Sequence, residues 1–235
     1  MERRKFIGAI TAFAGAIFSA QTFGAFGGLD RIGGALGGDK ANTGAASWKD
    51  IAKNFGEAKA SFTATAQTQA LIAADIADAL DLKSEAEALR GEASNLVEKG
   101  DTMGSGDLDA VAENSASTQA LIEAKLDASE ALTEEQKAAL GKAAVEYMPT
   151  LISGISVAIT VKDTVQSASS MGMPGFRDGR AAASAAKDIP VLGPKMIQFL
   201  IDSAKTGKSL MSLMQTKGVA TPDFSEMDSQ LAGFV

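Results

Sequence analysis

Apolar residues recur three and four positions apart along most of this chain, and no stretch alternates with period two for more than a few positions. That spacing predicts amphipathic helices and argues against half-buried strands. From Ser47, a plausible N-cap, Ala-, Glu- and Lys-rich sequence runs for a hundred residues without proline. Ile72, Ile76 and Leu80, flanked by Leu71 and Ala79, make one apolar stripe, with Asp75, Asp78 and Asp81 as its solvated flank. Gly100, Gly104 and Gly106 interrupt the pattern, because glycine costs about 1 kcal/mol per helical position relative to alanine. Leu108, Val111, Leu121, Ile122, Leu126 and Leu132 mark the next helix. Thr133 and Gln136 then have the spacing of a capping box, so a new helix is expected to begin there.

Pro149 is expected to end or kink that helix. The fifteen residues 147–161 carry no charge, and a helix apolar on every side belongs at the centre of a bundle. It would span only about 22 Å, short of a hydrocarbon core of roughly 30 Å. Met171 to Gly175 reads as a loop. A short Ala-rich helix over 179–188 is expected to stop at Pro190, and Gly193-Pro194 to open the last long helix. Lys217 and Gly218 would close that helix. The fold class is therefore all-α, a bundle of four to five helices. Residues 68–93 and 118–143 also agree at 11 of 26 positions, sharing Thr-Gln-Ala-Leu-Ile at their starts, which is either a duplicated helical hairpin or shared composition.

Ahead of this helical region the pattern differs. Arg3, Arg4 and Lys5 precede an uncharged run from Phe6 to Ala20, the layout of a secretory signal. Arg3-Arg4-Lys5-Phe6-Ile7 resembles a twin-arginine signal, which implies bacterial export of a folded protein. Glu2 and Gly8 depart from that motif, so export of the unfolded chain stays open. Eight glycines between Gly24 and Gly44 predict a linker. The expected organisation is an export signal over 1–24, a Gly-rich linker over 25–46, the helical bundle over 47–218 and an acidic tail over 219–235, with one helical turn after Pro222.

Charge and composition narrow the chemistry. After residue 24 there are 19 basic and 28 acidic side chains, a net charge of −9. That balance disfavours a nucleic-acid surface. The chain has neither cysteine nor histidine, so it lacks disulfides, the commonest general base and the commonest zinc ligand.

The remaining motifs are weak. Ser184 to Lys187 spells Ser-x-x-Lys and Lys205 to Gly207 spells Lys-Thr-Gly, but both lie in helical sequence with no Ser-Asp-Asn between them. Asp101 to Glu113 has glycine at the sixth place of a calcium loop, yet Met103, Ser105 and Ala112 occupy ligand places. Met171 with Met173, and Met211 with Met214, are soft donors suited to Cu(I), or simply packing residues. Glu85 with Glu87, Glu134 with Glu135, and Asp75 with Asp78 pair carboxylates on expected solvated faces. Trp48 and Tyr147 are expected as core or helix-start anchors. No catalytic, cofactor-binding or metal-ligating residue is assigned, and no cofactor is expected.

These features point to an exported, non-catalytic helical bundle, periplasmic or extracellular, whose partner is another protein or itself. The alternative is a periplasmic carrier of an apolar ligand or a membrane-active helical protein, resting on 147–161 and the last long helix.

Overall fold

Ser47 starts the bundle as its sequence suggests. Its Oγ accepts a hydrogen bond from the Asp50 N–H at 3.2 Å, and the Asp50 carboxylate accepts from the Ser47 N–H at 3.3 Å. The computed structural model describes residues 47–175 and 177–234; the expected signal and linker lie outside the described residues.

Six α-helices and one 3₁₀ turn make up this region, and it has no strand among the described residues. They are α1 (Trp48–Ala79), α2 (Lys83–Lys99), α3 (Ser105–Ala128), α4 (Glu134–Ser170), α5 (Gly179–Thr216) and α6 (Ser225–Phe234). The all-α bundle read from periodicity is the observed fold. Its plan is simple. The long helices α1, α4 and α5 pack on one another, and each carries a shorter satellite: α2 lies on α1, α3 on α5, and α6 on α4.

The centre is built where the uncharged segment predicted it. Leu151, Ile155, Ala158 and Val161 of α4 are fully buried, as are Phe62, Ala74, Ile76 and Ala77 of α1 and Met196, Leu200, Ala204, Met211 and Met214 of α5. Phe62 and Phe199 meet edge to face with ring centroids 5.4 Å apart. Glycines allow the α4–α5 approach. A Cβ at Gly193 would stand 2.5 Å from Val165 Cγ2, and one at Gly207 would stand 2.6 Å from Leu151 Cδ1. Trp48 and Tyr147 are both core residues; the indole N–H donates to the Gly172 carbonyl at 2.7 Å, and burial pushes the Tyr147 hydroxyl up to about 12.

Four local expectations change. The first long helix does not run to Gly100: it turns at Leu80–Leu82, where Asp81 adopts φ +62°, a conformation aspartate tolerates better than most residues. Pro149 does not end its helix but sits inside a continuous 37-residue α4. Pro149 and Val145, whose carbonyl loses its helical donor there, are both exposed, so water can satisfy that carbonyl. Pro190 and Pro194 likewise lie on the exposed face of a single 38-residue α5, so the expected short helix over 179–188 and its stop do not occur. The region after Pro222 holds a ten-residue helix rather than one turn. Val219 and Met227 from this part of the chain are buried against the bundle.

The similar segments 68–93 and 118–143 share a local plan: each crosses from the end of one helix, through a break, into the start of another. Their packing differs. The first pair, α1 and α2, forms a packed hairpin, whereas α3 packs on α5 rather than α4.

Candidate functional site

Helix α3 is the least buried of the five longer helices. Only Leu108, Val111, Ile122 and Leu126 are buried, and they lie near its two ends. Nothing between Ala112 and Leu121 is buried; Leu121, expected on the apolar stripe, is 50% exposed. The small residues Ala112, Ser115, Ala116 and Ala120 recur at helical spacing opposite α5. They fill too little volume to close the seam, which opens into a groove of about 430 Å³. Across it, α5 presents Gln198, Phe199, Asp202, Ser203 and Thr206. One end is pinned by Lys195, whose Nζ lies 2.6 Å from Asp109 Oδ2. With that pair neutralised, Glu123 and Asp202 leave the groove acidic.

A smaller cleft of about 260 Å³ flanks α3 on its other side, against α2. Glu92 lines it, half-buried, with Asn114 as its hydrogen-bond partner and no ion pair among the described residues. Burial pushes its carboxyl up to about 7, and the Asn114 hydrogen bond opposes that rise only in part. At the cleft's far end Lys99 pairs with Asp107, which also accepts from the Gly104 N–H at 2.9 Å. The Lys99 hydrogen bond, then the Gly104 one, holds the Asp107 carboxyl below its usual range.

The residues singled out from sequence are scattered. Ser184 and Lys205 stand 21 positions apart on the same helix, about 30 Å at 1.5 Å per residue, so the Ser-x-x-Lys and Lys-Thr-Gly motifs never meet. Gly207 of the Lys-Thr-Gly motif is a packing residue. The calcium-loop-like segment is helical from Ser105 onward, with Asp107 and Asp109 paired to lysines. Among the described residues no group of three or more Asp, Glu, His or Cys is placed to hold a metal ion. Met211 and Met214 are fully buried in α5, while Met173 is 84% exposed in the α4–α5 loop. Asp75 and Asp78 are both held by Arg90 of α2, at 3.0 and 2.6 Å. Glu134 pairs with Lys137 at 2.9 Å, and the Ser84 hydroxyl donates to Glu85 at 2.7 Å.

Sequence reasoning missed three features: the α3–α5 groove, Glu92 in its cleft, and Gln69. The Gln69 amide is buried against Gly154 of α4, with no hydrogen-bond partner among the described residues for its oxygen or nitrogen. The run of small residues along one face of α3 was the one available signal for the groove.

Among the described residues one helix, α4, is long and apolar enough to cross a membrane by length and composition, and 56% of its most apolar window is buried inside the bundle. Comparison with protein-family models, with curated proteins and with solved structures finds no match to this chain.

Proposed function

We propose that this chain is an exported, non-catalytic interaction protein that works by binding another protein or a further copy of itself. The observation that carries the reading is the α3–α5 groove. It is a seam whose α3 side carries the small residues Ala112, Ser115, Ala116 and Ala120, which leave room for side chains of a partner helix to pack. Its acidic residues Asp202 and Glu123 offer a polar rim, and Phe199 an apolar contact. The lack of histidine and cysteine supports the non-catalytic part. The basic start and apolar run of residues 3–20 support export to the periplasm or beyond.

The apolar-ligand or membrane-active alternative draws less support. Its warrant was the uncharged segment 147–161, and within that segment only Pro149 is exposed. An insertion that used it would have to open the centre of the bundle.

A photo-crosslinking amino acid at Ala116, in the groove, tests the reading, with Glu87 on the exposed face of α2 as the control position. The expected result is one adduct of defined mass from the Ala116 protein in the exported fraction and none from the Glu87 protein. Equal labelling at both positions, or none at either, would overturn the proposal.

A further inference from the structure

The last helix is attached differently from the others. Gly218, at φ +78°, turns the chain out of α5, and residues 219–224 run without helical structure to α6. The arm then follows α4 for much of that helix. The Ala220 carbonyl would lie 3.3 Å from a Cβ at Gly141, and at the far end Lys162 donates to the Phe234 carbonyl at 2.9 Å and sits 4.6 Å from its ring centre. Gly141 and Lys162 are about 31 Å apart along α4 at 1.5 Å per residue. Five extended residues and ten helical ones cover about the same distance, so the arm has little slack.

The seat on α4 and α5 is specific to this arm. Met227 is completely buried, with Phe224, Leu231 and Phe234 half-buried around it. Asp228 pairs with Lys208 of α5 at 2.5 Å. A ten-residue helix is too short to persist alone in water, so α6 owes its form to the seat. Leaving the seat would bare the socket that holds Met227 and strip Lys208 and Lys162 of their partners Asp228 and Phe234. The ligand that fits that socket best is already known: it is residues 219–234 of this chain.

We infer that α6 is an exchangeable arm, and that a second copy of this chain can dock its own residues 219–234 in the seat to give a reciprocally swapped dimer. Every contact α6 makes within its own chain recurs between chains, and only the turn at Lys217–Gly218 has to open. Exchange of an identical element in this way is a low-cost route to association. The inference rests on the reading of the chain as an interaction protein for its biological sense, and it names a second copy as the partner.

Full-length K208D and D228K proteins test it. In either variant alone, like charges face each other in the seat of its own chain. In a mixed, swapped dimer, the D228K arm meets the carboxylate of the K208D seat, and the native Asp228 arm meets native Lys208, so both pairs are restored. After the two are unfolded and refolded together, native mass spectrometry should show heterodimer in roughly tenfold excess over either homodimer, as expected of two surface ion pairs regained. Monomers alone, or homodimers as abundant as heterodimer, would overturn the inference. Deleting residues 220–223 supplies a second arm of the test, because α6 then falls short of its own seat. Dimer with native helix content by circular dichroism supports exchange, and monomer with native helix content refutes it. Crosslinking from Ala116 in the K208D background separates the two proposals: adducts without exchange would sink the swap and leave the groove reading standing, and exchange without adducts would do the reverse.

Discussion

Helices α4 and α3 follow each other in sequence and have opposite places in the fold. Thirteen of the 37 residues of α4 are buried, spread along most of its length and facing α1, α5 and α6. Four of the 24 residues of α3 are buried, all near its ends. The difference comes from side-chain volume. Leu, Ile and Val line α4 where it meets its neighbours, whereas Ala and Ser line the middle of α3 and leave space on both sides. One helix therefore holds the molecule together, and the other is where it has surface concavity to offer.

Truncating equivalent leucines is the strongest way to break that comparison. Leu151 of α4 is fully enclosed, so Leu151→Ala should cost about 4 kcal/mol, near the upper part of the range for cavities that cannot collapse. Leu108 of α3 is also buried, but it borders the open groove, where neighbours can relax. Leu108→Ala should cost about 2 kcal/mol. Urea denaturation of both variants measures this directly. Equal losses would mean that α3 is as firmly seated as α4.

Glycine substitutions sharpen the same contrast, because their sign should change between the two regions. At Gly193 a new Cβ would be driven into Val165, so Gly193→Ala should destabilise by about 1–3 kcal/mol, as overpacking does. At Gly106, in the first turn of α3, a Cβ meets nothing within 4 Å and the backbone is not in the left-handed region. Gly106→Ala should therefore stabilise by about 0.5 kcal/mol through lost freedom of the unfolded chain. Melting temperatures moving in opposite directions are the expected outcome.

How much of this was written locally in the chain varies by element. Ser47 and Thr133 announced their helices, because a cap is a short-range hydrogen bond with a fixed spacing. The place of α4 was legible from its missing charges. The turn at Leu80–Leu82 was not, because it has neither glycine nor proline and Leu80 continues the apolar stripe into it. The prolines at 190 and 194, and the expected end at Pro149, misled for a related reason. A proline breaks a helix less when its freed carbonyl can reach water, and that depends on which face packs, a tertiary fact. Gly193 showed the reverse: read as a helix opener, it is a packing residue whose partner, Val165, lies 28 positions upstream. The groove and the Glu92 cleft were hidden for the same reason, since both are spaces between helices remote in sequence or joined by a turn.

The smallest expected effect concerns how α3 is held against α2. Glu92 titrates near 7 in the fold because burial disfavours its charge, against an ordinary value of 4.5. A raised pKa means that the folded state prefers the protonated form. The stability this contributes is fully present below pH 4.5 and is lost as pH rises through about 7. Since the carboxyl is partly open to solvent, the change should be discounted to about 1 kcal/mol. The carboxylates held low by hydrogen bonds, Asp50, Glu85, Asp107 and Asp223, act below that window and with the opposite sign, losing their contribution only as pH falls further. Urea midpoints should therefore decline between pH 4.5 and 7.5 in the native protein and stay flat over that range in Glu92→Gln. Amide exchange should place the change in α3, with the 112–121 stretch exchanging faster at the higher pH after correction for intrinsic rates, and α4 unaffected. A decline that survives in Glu92→Gln would mean that the pH response lies elsewhere in the bundle and that the α2–α3 cleft is closed by packing alone.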